Sequence, residues 1–102
     1  MNSNISLGNF RAETESYKHF HVAYEDPLTP LSFSMVFDSM VISLSASPYI
    51  AFKNNDDRLC LSHVETIRKC GNTGKERRFS IVCNDYSMSD TPVPVKISLK
   101  CY

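Results

Sequence analysis

The segment from residue 48 to residue 83 decides the fold that we predict for this chain. It reads PYIAFK (48–53), NNDD (54–57), RLCLS (58–62), H (63), VETIRK (64–69), CGNTGKE (70–76) and RRFSIVC (77–83). The runs between the turn residues are rich in β-branched and aromatic side chains, which is typical of consecutive antiparallel strands. The run of asparagine and aspartate predicts a hairpin loop that pairs residues 49–53 with residues 58–62.

A change of register is predicted inside this segment. Val64 and Ile67 are three residues apart, so both can face the core only if the chain bends, bulges or turns near Ser62 and His63. Short strands with such a bend resemble the small SH3-like and Sm-like barrels over about the middle half of the chain. The resemblance concerns the fold only, since it supplies no motif from which functional residues can be transferred.

Alternating apolar residues predict further strands on both sides of this segment. The alternation is clear over residues 17–24, 40–46 and 95–102, where each strand would have one buried and one wet face. The last of these strands carries two lysines on its wet face, which discourages edge-to-edge aggregation.

The sequence predicts one short helix near residues 30–40. A threonine at position 29 and a proline at position 30 form a typical helix start, and the apolar residues that follow have helical spacing. A strand over residues 33–37 is the alternative interpretation.

Together these patterns predict a mainly β (α+β) fold with six or seven short antiparallel strands. The strands would form a small barrel or curled sheet, with the helix near residues 30–40 over one opening. With 102 residues the chain forms one domain, residues 1–102. Residues 1–16 are weakly patterned, which predicts a loosely ordered arm or one turn of helix.

The amino-terminal sequence and the cysteines indicate a cytoplasmic location. Residues 1–8 have neither the basic nor the apolar region of a signal peptide, and no apolar run is as long as a membrane span. The four cysteines, at positions 60, 70, 83 and 101, allow three disulfide connectivities. We expect four reduced thiols, with Cys83 and Cys101 on apolar strand faces.

Three kinds of chemical site were considered and are not favoured. The three histidines, at positions 19, 21 and 63, lack the paired cysteines of structural zinc sites, so we expect no metal and no cofactor. Cys60 and His63, with an aspartate at 56 or 57, lie in no known nucleophile motif. The glycines at 71 and 74 lack the spacing of a phosphate loop and are better explained by a hairpin turn.

The charges are divided unevenly along a chain whose formal net charge is zero. Residues 1–57 carry three basic and seven acidic residues, whereas residues 58–102 carry eight basic and four acidic ones. The halves either neutralise each other in the fold or leave a basic patch. We predict that the patch, if it forms, binds a partner through Arg68, Lys69, Lys75, Arg77 and Arg78.

The leading functional hypothesis is a small non-catalytic binding protein, an inhibitor or adaptor that occupies an acidic surface of another protein or nucleoprotein. In size and lack of motifs the chain is similar to phage-type inhibitors of host defence enzymes, anti-CRISPR proteins among them. The first alternative is a small β-barrel that binds nucleic acid through basic residues and aromatic side chains. The second is a thiol or acid–base enzyme. We expect no membrane partner.

Overall fold

The secondary structure is mainly β in a computed structural model that describes residues 3–25, 32–71, 74–86 and 90–102. These residues form nine strands and one α-helix. The elements are β1 (Ser3–Asn4), α1 (Leu7–Thr14), β2 (Phe20–Glu25), β3 (Ser32–Phe37), β4 (Ser39–Ser43), β5 (Tyr49–Lys53), β6 (Arg58–Ser62), β7 (Val64–Lys69), β8 (Arg77–Asp85) and β9 (Val93–Cys101).

The strands form two antiparallel sheets. The main sheet has six strands in the order β1-β7-β8-β9-β2-β3, and the small sheet has three in the order β4-β5-β6. The prediction of a mainly β, antiparallel fold is confirmed. The prediction of a barrel with six or seven strands is wrong, because in the described residues the strands lie in two separate sheets and there are nine of them. The radius of gyration, 13.2 Å, is that of a compact chain.

The chain passes from one sheet to the other at two bends. At Asp38, between β3 and β4, the backbone N–H donates to the carbonyl of Lys53 at 3.0 Å. At His63, between β6 and β7, φ is 54°, and the His63 carbonyl accepts a hydrogen bond from the N–H of Asn84 at 3.0 Å. Both bends are therefore held by backbone hydrogen bonds to other strands.

The predicted register change is confirmed, and it has two parts. The turn at His63 is followed by a β-bulge between Val64 and Thr66. Each irregularity reverses the side to which the next residues point. Leu61, Val64 and Ile67 can therefore all pack in the core, although they follow one another at intervals of three.

The predicted hairpin between β5 and β6 is confirmed. Tyr49 lies opposite Ser62, and Lys53 lies opposite Arg58. The side-chain oxygen of Asn54 accepts hydrogen bonds from the N–H groups of Asp56, at 2.9 Å, and Asp57, at 2.7 Å. This side-chain capping of the loop is the reason that asparagine begins such turns.

The helix predicted near residues 30–40 is not present there. Residues 32–37 and 39–43 are the strands β3 and β4, while residues 30 and 31 lie outside the described residues. Phe33, Met35 and Phe37 fit a strand period of two as well as a helical spacing, and β3 pairs along its whole length with β2. The ring of Phe33 stacks on that of Tyr24 with centroids 4.9 Å apart. These pairings across the sheet outweigh the local helix signal.

The helix lies instead in the amino-terminal segment. The hydroxyl of Ser6 caps it by accepting a hydrogen bond from the N–H of Asn9 at 3.1 Å. Phe10 is completely buried, and its ring meets that of Phe79 edge-on at 4.8 Å. This part of the amino-terminal segment thus packs on the inner face of the main sheet and does not extend from it as a loose arm.

The core lies between the two sheets and under α1. Alternate residues of β8 and β9 supply much of it, and the prediction that Cys83 and Cys101 face inward is confirmed. The largest fully buried side chains are Phe10, Phe37, Phe52, Phe79, Ile50, Ile81, Ile97, Leu99, Val22 and Val95. In the described part of the chain, no helix has the length and apolar character needed to cross a membrane.

We predict that Phe10→Ala destabilises the protein strongly. The side chain is fully buried against Phe79, so its removal should lower the free energy of unfolding by about 3–5 kcal/mol. Urea denaturation followed by circular dichroism measures this change. The control Asn9→Ala, at an exposed position of the same helix, should change stability by less than about 1 kcal/mol. Equal effects of the two substitutions would contradict the packing of α1.

Candidate functional site

The five basic residues predicted to bind a partner are divided between the two faces of the main sheet. In β8, Arg77 lies opposite the buried Cys101, whereas Arg78 lies opposite Lys100. Neighbouring residues of a strand point to opposite faces. Arg77 and Lys69 consequently lie on the inner side, at the end of the core that α1 covers, and Arg68 and Arg78 lie on the outer side.

The two inner cations are held by the helix. The Nζ of Lys69 is 2.5 Å from Oε1 of Glu13, and a guanidinium nitrogen of Arg77 is 3.7 Å from the same oxygen. A side-chain hydrogen bond with Tyr17 raises the pKa of Arg77, against the opposing effect of burial. These contacts fix α1 on the sheet, so Lys69 and Arg77 have a structural role in the fold.

Arg78 is on the outer face, but it is partly neutralised. Its Nε donates to Oε1 of Glu76 at 2.6 Å. This hydrogen bond lowers the pKa of Glu76, which keeps the carboxyl charged. Lys75, the fifth predicted residue, is exposed next to Gly74, where φ is 64°. Lys75 therefore belongs to the turn before β8.

The outer face of the main sheet is the side directed away from the core, and it contains two further lysines. Lys100 lies opposite Arg78, and Lys96 lies opposite Val82. With Arg68 and Arg78 they form the outer-face cations, a name that we use below for these four residues. The sequence signal for both lysines was the strict alternation of the last strand, which predicted their exposure but not their position beside β8.

Small and polar side chains form the floor between these cations. One row across the sheet runs from Arg68 through Ser80, Ser98 and Ala23 to Ser34. None of the outward residues of β2, β3, β7, β8 and β9 is buried. None of those outward residues is a phenylalanine, tyrosine or tryptophan, and His21 is the one aromatic ring among them. This face is accordingly open and polar.

Of the three candidate metal-binding histidines, His21 and His63 lie in different parts of the structure. His21 hydrogen-bonds through Nε2 with the hydroxyl of Ser34 on the outer face. His63 is at the bend between the sheets, and its ring meets that of Tyr86 at 4.9 Å. Among the described residues, no group of three or more histidine, cysteine or carboxylate side chains could hold a metal ion.

The thiol pair considered for catalysis lies in the small sheet. Cys60 is exposed on the side of β6 that faces away from the core, opposite Ala51 of β5. His63 forms the bend that follows. In this part of the chain, no hydrogen bond joins the thiol to the imidazole. The glycine turn considered for phosphate contains residues 72 and 73, which lie outside the described residues, so that interpretation stays a sequence prediction.

No known protein family matches this chain, and no curated protein or solved structure matches it. The functional interpretation consequently rests on the residues themselves.

We predict a fixed order of alkylation for the four thiols. Burial raises the pKa of Cys101 to about 12 and also raises that of Cys83, and only the thiolate reacts. Cys60 is exposed and Cys70 is partly exposed. Iodoacetamide at pH 8 should label Cys60 first and Cys70 next, with Cys83 and Cys101 reacting only after unfolding. Peptide mass spectrometry of timed samples measures the order, and early labelling of Cys101 would contradict the buried environment.

We predict that His63→Gly is at least as stable as His63→Ala. The left-handed backbone at His63, with φ of 54°, costs an L-residue about 1–2 kcal/mol and glycine almost nothing. Both substitutions remove the ring contact with Tyr86 equally. Urea denaturation of the pair should therefore show a difference of about 1 kcal/mol in favour of glycine. An alanine variant that is the more stable would rule out a conformational role for this position.

Proposed function

We propose that this protein is a small non-catalytic binding module that occupies an acidic surface of another protein with the outer face of its main sheet. The observation that carries the proposal is the position of the outer-face cations on three adjacent strands of an uncovered sheet. The proposal includes both an inhibitor and an adaptor, since both act by covering a surface. We propose the cytoplasm as the compartment of this interaction.

The outer face has a surplus of positive charge. Against the four cations it carries Glu25, opposite Lys96, and Glu76, which pairs with Arg78, while the exposed Glu65 lies at the bulge of β7. Arg68 is exposed on β7, and no ion pair of the described residues includes it. Lys96 and Lys100 are four residues apart on β9, which is about 13 Å. Cations spread over this distance attract an acidic surface and increase the rate of association.

The composition of the face favours a protein over a single-stranded nucleic acid. Proteins that bind single strands without sequence preference combine cations with aromatic side chains on which the bases stack. The outward positions of the five strands carry cations but no phenylalanine, tyrosine or tryptophan. His21 is the one aromatic ring among these positions, and Tyr102 reaches Glu76 from the end of β9. Nucleic acid remains the alternative partner, because phosphates would also be attracted to the outer-face cations.

The narrower hypothesis is a phage-type inhibitor of a host defence enzyme, of the anti-CRISPR kind. The charge of the face restricts where such an inhibitor would bind. Channels that hold guide and target strands are positively charged, and two basic surfaces repel each other. Under this hypothesis the protein would cover an acidic region outside the nucleic-acid channel.

We predict that reversal of two outer-face cations, Arg68→Glu with Lys96→Glu, removes partner binding. Both side chains are exposed, so the fold should be retained. The matched control is Lys53→Glu with Arg58→Glu, which reverses two exposed cations that lie opposite each other on the small sheet. The immobilised wild-type and control proteins should retain the same acidic protein from a cell extract, and the outer-face variant should lose it.

Kinetics with the purified partner then test the electrostatic mechanism. The association rate constant of the outer-face variant should fall by at least about tenfold, with a smaller change in dissociation. Equal association by the wild-type and outer-face variants would refute this surface. Tight binding of the pure protein to RNA or DNA in a mobility-shift assay, weakening steeply with salt, would establish the nucleic-acid alternative instead.

A further inference from the structure

A second candidate surface is a groove between the helix α1 and the edge of the small sheet. The groove begins at the bend at Asp38, where the pairing of β3 with β2 ends. The ladder between β2 and β3 ends at the pair Phe20 and Phe37. Beyond this pair the two chain segments diverge, because β4 continues into the small sheet whereas residues 15–18 lead back to α1. The opening between them has a volume of about 440 Å³.

One wall of the groove is an unpaired strand edge. β4 pairs with β5 on one side only, and in the described residues it is the terminal strand of the small sheet. Ser39, Met40, Val41 and Ile42 all line the groove in succession. Consecutive residues point to opposite faces of a strand, so a groove that touches all four is bounded by the edge of β4 and by its backbone.

This edge lacks the usual protection against pairing. Exposed edge strands commonly carry lysine, proline, a bulge or an inward charge. The sequence of β4, SMVIS (39–43), contains none of these. Its ladder with β5 is regular from Ser39 to Ser43, and Val41 is 57% exposed. The backbone of β4 is consequently available to another extended chain.

The other wall of the groove carries a small surplus of positive charge. Arg11, Glu15 and Lys18 line this wall, and all three are exposed. Neither cation forms an ion pair within the described residues. The facing strand, from Ser39 to Ile42, has no charge, and Asp38 lines the groove at the bend before this strand. An occupant with an acidic side chain toward the helix complements this wall.

We propose that the groove binds one extended peptide segment of a partner protein, added as a strand to the free edge of β4. Its side chains would alternate, with apolar residues toward Phe20, Met40 and Ile42 and an acidic residue toward Arg11 and Lys18. Main-chain hydrogen bonds supply the affinity of such complexes, and alternate side chains supply the specificity. A five-residue strand such as β4 offers about 17 Å of edge.

A single chain fits this groove better than the edge of a second copy. The β4 of a second copy would bring β5 beside it, because the two strands are hydrogen-bonded along their whole length. The groove wall opposite β4, which includes Tyr17 and Lys18, occupies the side on which the β5 of the second copy would lie. The proposal does not rest on the outer face of the main sheet, which involves other residues.

The test is a titration of the ¹⁵N-labelled protein, residues 1–102, with synthetic peptides, followed by NMR. The probe is a capped peptide of alternating valine and aspartate. It should shift the amide signals of residues 39–43 and 15–18. A second peptide, N-methylated at alternate residues on its hydrogen-bonding edge, should bind at least about tenfold more weakly. A third peptide, with lysine in place of aspartate, should also bind about tenfold more weakly than the first.

Charge reversal in the protein provides the matched comparison. The variant Arg11→Glu with Lys18→Glu should prefer the lysine peptide. The control Arg58→Glu, at an exposed position of β6 on the far side of β5 from the groove, should behave as the wild type. Equal binding of the N-methylated peptide, equal binding of both charge types, or shifts confined to other residues would overturn the proposal. Concentration-dependent shifts at residues 39–43 without any peptide would assign the edge to a second copy.

Discussion

Adjacent residues of a β-strand must point to opposite sides of the sheet, and the rest of this structure depends on how β8 and β9 meet that constraint. Phe79, Ile81 and Cys83 face Leu99, Ile97 and Val95 across the ladder, and all six are buried. The residues between them are therefore directed outward. The same alternation sends Arg77 toward α1 and Arg78 toward the opposite face. Two neighbouring arginines thus acquire different roles without any difference in their chemistry.

The apolar face of the main sheet must be shielded from water, and the small sheet shields it. The bends at Asp38 and His63 bring the small sheet into that position. Because the chain turns there, β4, β5 and β6 form a separate small sheet and bring Ile50, Phe52 and Leu61 into the common core. The small sheet leaves room at one end, which α1 fills with Phe10. The same divergence of strands at Asp38 opens the groove beside β4. The groove is in this sense a consequence of how the core is closed.

Local sequence patterns predicted those elements whose signal is itself local. The loop at residues 54–57 was predictable because Asn54 caps its own turn. The structure of the segment after residue 30 was not predictable in this way, since its apolar residues fit both the helical and the strand period. Pairing with β2 makes this segment a strand. The helix α1 has only two buried residues, Phe10 and Thr14. An apolar helix face made of so few residues produces little helical periodicity in the sequence.

The candidate site was predictable in kind but not in arrangement. The basic residues near β8 were visible in the sequence, and so was the exposure of the lysines of β9. That Glu13 binds Lys69, 56 residues away, is a tertiary contact with no local pattern. Without that contact the five predicted residues looked like one patch. In the structure, Lys69 and Arg77 contact α1 through Glu13, whereas Arg68 and Arg78 lie on the open outer face.

The division also changes the meaning of the uneven charge along the chain. The acidic first half and the basic second half do not form two separate units, because β1, β2 and β3 from the first half flank β7, β8 and β9 from the second half in one sheet. Glu13 from the first half neutralises cations on the inner side, where Lys69 and Arg77 lie. Because the Glu13 carboxylate pairs with these inner cations, it does not neutralise cations on the outer face. A chain with no net charge can in this way present a basic surface on one side, since topology and not composition decides which charges meet.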